Sequence, residues 1–333
     1  KNSLPDNTIH SIFVDTNSKI WIATNCGLSL FDPFRETFRN FKDVSGIHYT
    51  IQRAIYNVYS TSDDRIWVGT VSDLCYFDSK DTDLILSGKK NVNHMFIQDI
   101  YWGISNPTVY CVFEDSFKNV WIGSNGGGAS FISSTSSFFH SWRINKIPGV
   151  TNGLNDKEVL TICVADNGNI WMGTDGGGIN VNIDGRNCMF YSHDTGDISS
   201  NTYHSSLKDS NGDLWFGNMY NEMGIDVFIS KEGRFIHYTP QGNGSVIYCL
   251  FEDNQRNVWI GSNNGLEIYN LITKKKDFLN KENSQLLTNE IKAVSQDKNG
   301  NIWIGTLNKG ISIYNPESKT MKHINEHTIF ENC

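Results

Sequence analysis

Short runs of alternating or continuous apolar residues recur along the chain, each closed by a polar cluster of Asn, Asp, Ser, Gly or Lys. No stretch keeps the period of an amphipathic helix, and short strands with turn signals at even spacing predict an all-β fold. One phrase marks the period. "VWIGS" at 120–124 has near-copies in "IWIAT", "IWVGT", "IWMGT", "LWFGN", "VWIGS" and "IWIGT". Their tryptophans are Trp21, Trp67, Trp121, Trp171, Trp215, Trp259 and Trp303, 44 to 54 residues apart.

Repeats of this length match the four-stranded blade of a β-propeller. Within a repeat, an apolar stretch such as "TVYCVFED" reads as strand one and a turn such as "SFKN" or "KNGN" follows. The Trp phrase is strand two, "GLEIYN" or "GISIYN" is strand three, and "FRNF", "FIHY" or "MKHI" is strand four. The expectation is a single seven-bladed propeller of antiparallel four-stranded blades over residues 1–333.

The Trp phrase has a physical reading. Trp and the residue after it point to opposite faces of the strand, and both are apolar in every repeat, as burial between stacked blades requires. Gly69, Gly123, Gly173, Gly217, Gly261 and Gly305 stand two residues after the Trp, with Ala23 in repeat one. A missing side chain there admits the neighbouring blade. Each buried Trp hides about 150–250 Å², worth roughly 4–6 kcal/mol at about 25 cal/mol/Å² as an upper bound.

Two motifs invite other readings. "GSNGGGAS" after Trp121 looks like a phosphate loop, but no helix follows it, so its glycines serve a tight strand connection. "DSNGD" (209–213) and "DKNGN" (297–301) resemble the start of a calcium loop. They lack the Gly at the sixth position and the closing Glu, and Asx-turn chemistry explains them better.

Composition narrows the function classes. Aromatics reach 12% with nine Trp, and charged residues are 19%. A net charge of −8 argues against a general nucleic-acid binder, which needs a basic stripe. No run approaches eighteen apolar residues, so no membrane contact by this chain is expected. The opening "KNSLPDN" has neither initiator Met nor signal peptide and reads as part of a longer chain. The seven cysteines form no C-x-x-C pair; Cys111 and Cys249 occupy equivalent strand positions and read as small apolar residues. No metal, cofactor or catalytic residue is expected.

The stretch "LPDNTIHSIFVDTNSKIWIATNCGLSLFDP" carries L-x-x-N-x-I, a strand ending in Asp, N-[IV]-W-I-G-T-like and G-[LI]-x-x-[FY]-[DN]-P-like elements. It resembles the two-component regulator propeller repeat, and the resemblance runs along the whole chain. It implies the periplasmic sensor region of a hybrid two-component histidine kinase of gut Bacteroidetes such as Bacteroides, responding to oligosaccharides from glycan breakdown. It also implies, as partners, a second propeller and a downstream immunoglobulin-like domain of the same receptor, and a homodimer. Repeat two departs from the pattern, with Thr61 in place of the strand-ending Asp and Asp73 in place of a Gly. Repeat five has a longer turn in "GNMYNEMGIDVF". No split blade is evident, and "EHTIFENC" reads either as a returning segment or as a linker.

Two places are expected to hold a ligand, since propeller function lives on loops. The first is a pair of enlarged connections, 84–107 and 136–157, with the off-register Trp102 and Trp142 beside Tyr101, His94, His140, Arg143 and Lys146. Aromatic faces suit the apolar face of a pyranose, and the cations suit an acidic or sulfated sugar; alternatively each Trp packs its own loop. The second is a register eleven residues before each repeat Trp: His10, Tyr56, Tyr110, Leu160, His204, Tyr248 and Lys292. These positions open the innermost strand near the channel mouth, where they either meet a ligand or pack between blades. Two other functions compete with a sensor: a structural or protein-docking propeller, and a propeller lyase with a metal and His at the channel mouth.

Overall fold

The computed structural model describes residues 3–15, 17–41, 54–87, 89–90, 92–95, 106, 108–134, 139–142, 153–183, 188–220, 224–241 and 246–325. They form seven four-stranded sheets, each made of consecutive antiparallel strands. The innermost strands are Ile9–Val14, Ile55–Ser60, Val109–Glu114, Val159–Val164, Tyr203–Lys208, Ile247–Glu252 and Ile291–Gln296. The seven-bladed propeller expected from the repeat is therefore the fold.

The second strands, which carry the Trp phrase, are buried along their length, and all seven Trp side chains are 1% to 4% exposed. The following glycines work as close-approach points. A Cβ on Gly69 would lie 2.8 Å from Val109 Cγ1, and one on Gly261 would lie 2.9 Å from Ile291 Cγ2. In each case the intruding residue is the first of the next blade's innermost strand, so the Gly sets how tightly successive blades stack. The Ser or Thr that ends the phrase closes the turn to strand three: Thr24 Oγ1 donates to Gly27 O at 2.7 Å and Thr306 Oγ1 to Gly310 O at 2.8 Å. The "GSNGGGAS" segment is one such turn, with Ser124 paired to Gly128 and positive φ at Gly126 and Gly128.

The aspartate ending strand one is an organiser of the next turn. Asp209 Oδ1 accepts the backbone N–H groups of Asn211 and Asp213, at 2.8 and 3.0 Å, while Oδ2 accepts the Trp215 indole N–H at 3.0 Å. Asp297 does the same for Asn299, Asn301 and Trp303. The carboxylate's lone pairs are consumed by the turn and the buried indole, which accounts for the calcium-like sequence. Blade two has Thr61 there, and blade four has Ala165, a departure the sequence reading passed over. In both, the indole N–H of Trp67 or Trp171 is buried without a partner among the described residues.

The ring closes by packing. A Cβ on Gly305 in blade seven would lie 2.7 Å from Ile9 Cγ2 in blade one, the contact that the glycines of blades two to six make with the next blade. Leu4, Ile9, Ile12 and Phe31 share one buried cluster with Ala293, Trp303 and Ile311. Thr8 Oγ1 donates to Asn308 Oδ1 at 3.0 Å and Gly310 N to Asn7 O at 3.0 Å. Among the described residues no strand is exchanged between the first and last blades. The "EHTIFENC" segment lies outside the described residues except for its flank.

The enlarged connections are partly corrected. Residues 84–107 are not one loop: a helix at Thr82–Leu86 precedes strand four of blade two at Asn93–Met95, where His94 pairs with Cys75. Phe139–Trp142 is strand four of blade three, with His140 opposite Phe131 and Trp142 opposite Ala129. Strand three of each blade needs an outer partner for its backbone N–H and C=O groups, and these segments supply it. His94, His140 and Trp142 thus sit on outermost strands. Trp102, Tyr101, Arg143 and Lys146 lie outside the described residues.

Candidate functional site at the channel mouth

Every innermost strand carries the same irregularity. In blade one, Ile9 pairs with Thr24 and Ser11 with Ala23, leaving His10 as a bulge between them. The corresponding shift leaves out Tyr56, Tyr110, Leu160, His204, Tyr248 and Lys292 in the other blades. These are the seven residues standing eleven before the Trp. A bulge re-aims a side chain that would otherwise follow the pleat, and all seven line a single cavity of about 480 Å³. Single-sequence reading locates this register but not the bulge, because a register shift is a property of a strand pair.

The bulged side chains contact one another around the channel. His10 meets Tyr56 edge-on at 5.3 Å between centroids, and Tyr56 meets Tyr110 at 5.3 Å. His204 meets Tyr248 edge-on at 6.2 Å, and Lys292 Nζ lies 3.2 Å from the centre of the Tyr248 ring. These residues therefore touch each other and also face the cavity. The next residue on each strand is small, and Ser11, Asn57, Cys111, Thr161, Ser205, Cys249 and Ala293 line the same space. Burial pushes the Cys111 and Cys249 thiols up to about 12, so they behave as apolar spacers.

A second tier comes from the turn after strand two. The N–H of the fourth residue after each Trp donates to the backbone two residues before the bulge, as in Asn25 to Thr8 and Asp175 to Glu158. This positions Asn125, whose Nδ2 donates to the Tyr110 hydroxyl at 2.8 Å. It also brings Asp175, Met219 and, from the start of blade four, Glu158 to the cavity. Sequence reasoning missed Asp175 as a site residue. The available signal was that this turn position is acidic in only one repeat.

The electrostatics are uneven across the mouth. Burial pulls His204 down to about 4, with nearby Lys292 acting in the same direction. Burial also lowers His10 from its ordinary value, opposed by a hydrogen bond to the Asn25 side chain. Lys292 is lowered by burial, with Glu290 opposing. Tyr110 and Tyr248 are raised by burial and stay protonated at neutral pH. Nε2 of His10, Nδ1 of His204 and Oγ of Ser205 are buried without a hydrogen-bond partner among the described residues. Native proteins rarely leave such atoms unmatched, and each asks for a solvent or ligand partner. Among the described residues no group of three or more His, Cys, Asp and Glu side chains is arranged to hold a metal ion. No helix of the described chain is long and apolar enough to cross a membrane.

The chain is similar to several known proteins. The profile of the two component regulator propeller matches residues 3–26, 103–126, 153–176, 241–264 and 285–308. These segments fall in blades one, three, four, six and seven; the departures noted above in repeats two and five lie outside them. The extracellular domain of a hybrid two component system from B. thetaiotaomicron is 30% identical, with a TM-score of 0.50, over 96% of this chain and 40% of that one. Histidine kinase P4 of Formosa agariphila is 23% identical over 134 residues, 38% of this chain and 8% of that protein. The chain thus spans well under half the length of these relatives. Virginiamycin B lyase from Staphylococcus aureus has a TM-score of 0.69 at 12% identity, over 94% of this chain and 97% of that one; that likeness is one of fold. Five of the seven blades thus carry a segment that matches the two component regulator propeller repeat.

Proposed function

We propose that this propeller is the ligand-recognising part of an extracytoplasmic, periplasmic sensor in a hybrid two-component receptor, and that its ligand is an oligosaccharide released from a glycan. The matched repeats and the similarity to a hybrid system's extracellular domain support the sensor role. The observation that carries the ligand site is the convergence of seven bulged residues on one cavity. Its size falls within the roughly 300–1,000 Å³ of small-molecule sites. Tyr56, Tyr110 and Tyr248 offer ring faces and hydroxyls, the pairing a pyranose needs. Binding would act by favouring one arrangement of this propeller against its neighbouring domains in the receptor, through a difference in affinity between arrangements. The second propeller, the immunoglobulin-like domain and a homodimer are the partners this reading carries.

A second reading, a docking scaffold without its own ligand, is favoured by the ring-to-ring contacts at the mouth, which hold the inner strands together unaided. A thermal-shift screen against plant, host and microbial oligosaccharides separates the two. A ligand at about 100 times its Kd adds about 2.7 kcal/mol, a readable shift. The sensor reading expects a shift that is lost in Tyr248→Phe with basal stability retained. A shift lost instead in Trp102→Ala or Trp142→Ala places the site on the outer connections. No shift with any sugar supports the scaffold.

A further inference from the structure

The channel mouth has two unlike sides. Blades five, six, seven and one contribute His204, Tyr248, Lys292 and His10 in succession, all nitrogen donors or aromatic faces. Blade four contributes Glu158 and Asp175. We infer that the ligand is a saccharide with an acidic group at one end, seated against Lys292 between His10 and His204, with its hydroxyl groups directed to Glu158 and Asp175. This rests on the sensor reading above and names the chemistry of its ligand.

Three observations carry it. Lys292 lines the cavity, and among the described residues it makes no ion pair; its close neighbour is the face of Tyr248 at 3.2 Å. A ring face attracts a cation without neutralising it, and Glu290 acts on the ammonium without forming an ion pair, so the position can still take an anion in direct contact. Second, the His10 and His204 nitrogens that lack partners lie on this side of the mouth. Lys292 next to each ring favours the neutral imidazole, and the one N–H of neutral His204 goes to the Tyr248 backbone carbonyl, so its open Nδ1 accepts from a ligand hydroxyl beside the acid. Third, Glu158 and Asp175 accept hydrogen bonds from sugar hydroxyls and repel a second acid, which fixes polarity along the ligand. Asp175 already holds the Thr202 hydroxyl at 3.2 Å, so its carboxylate is positioned before any ligand arrives.

The test is isothermal titration calorimetry on the chain with matched disaccharide pairs at constant ionic strength. Digalacturonate is compared with galactobiose, and a sulfated disaccharide with its unsulfated parent. The inference expects the acidic member of a bound pair to bind at least ten-fold tighter. The uronate and sulfate arms show which acid is taken. Lys292→Gln should bring the ratio close to one, and Lys292→Arg should keep most of it. Equal binding of acid and neutral parent by the wild-type chain overturns the charge assignment and leaves the sensor reading standing. Retention of the full preference in Lys292→Gln also overturns it. Binding of neither member of any pair removes both readings. The wild-type comparison decides the matter even if Lys292→Gln proves unstable.

Discussion

Trp259 donates its indole N–H to Asp253 Oδ2 at 2.8 Å, while Asp253 Oδ1 accepts the backbone N–H groups of Gln255 and Asn257 at 2.9 and 2.8 Å. One buried carboxylate thus ties the end of strand one, the turn after it and the core Trp of strand two. Asp253→Ala leaves a buried indole and two turn N–H groups unmatched, at a cost of about 2–4 kcal/mol. Urea denaturation of the variant should show that loss.

The same geometry predicts a gain in blade four. Ala165 keeps the backbone turn of its counterparts, with its N–H on Asn169 O at 3.0 Å and its carbonyl accepting from Gly168 at 2.9 Å. Only the carboxylate is missing, and the Trp171 indole is left without a partner. Ala165→Asp should stabilise the chain by about 1 kcal/mol. An unchanged or lower urea midpoint would show that the blade-four turn cannot seat the acid.

Ring closure can be probed at Gly305. An alanine Cβ there would meet Ile9 Cγ2 at 2.7 Å and Ile12 Cδ1 at 3.1 Å. Overpacking of this kind costs about 1–3 kcal/mol. Ile9→Ala removes the opposing methyl, so the double variant should lose less than the two single changes combined, by about 0.5–3 kcal/mol. Strict additivity by thermal denaturation would mean that blades one and seven do not meet as described.

Acid sensitivity follows from the channel histidines. His204 titrates near 4 in the folded chain against 6.5 unfolded, so between those values the unfolded state binds a proton that the folded state refuses. Stability therefore falls as pH drops from about 6.5 towards 4, by on the order of 3 kcal/mol from this residue. His10 shifts in the same direction. The Tm measured from pH 7.5 to 4.5 should fall less steeply in His204→Gln than in the parent chain.

What was legible in the sequence is what the repeat states seven times over. Blade number, the buried Trp strands and the Gly close-approach points follow from local packing that each repeat must solve alone. Asp175 was harder to see because it matters as the one acid at its turn position. The bulge at His10 and its counterparts was hidden because pairing between strands creates it, even though the register itself was visible. The outer strand at Asn93–Met95 was read as loop, and Trp142 was read either as loop or as the end of strand four, because an edge strand of three or four residues has too little alternation to stand out.

The central claim is that the bulged ring is where a ligand binds. The most direct measurement is an equilibrium titration of the best oligosaccharide from the thermal-shift screen against the parent chain, Tyr110→Phe and Tyr248→Phe. Each variant removes one hydroxyl and keeps the ring contacts. The account predicts binding at least ten-fold weaker in each, with the ligand-free Tm unchanged in Tyr248→Phe and lowered in Tyr110→Phe only by the loss of the Asn125 hydrogen bond. Undiminished affinity in both variants would contradict it and take the ligand away from the channel mouth.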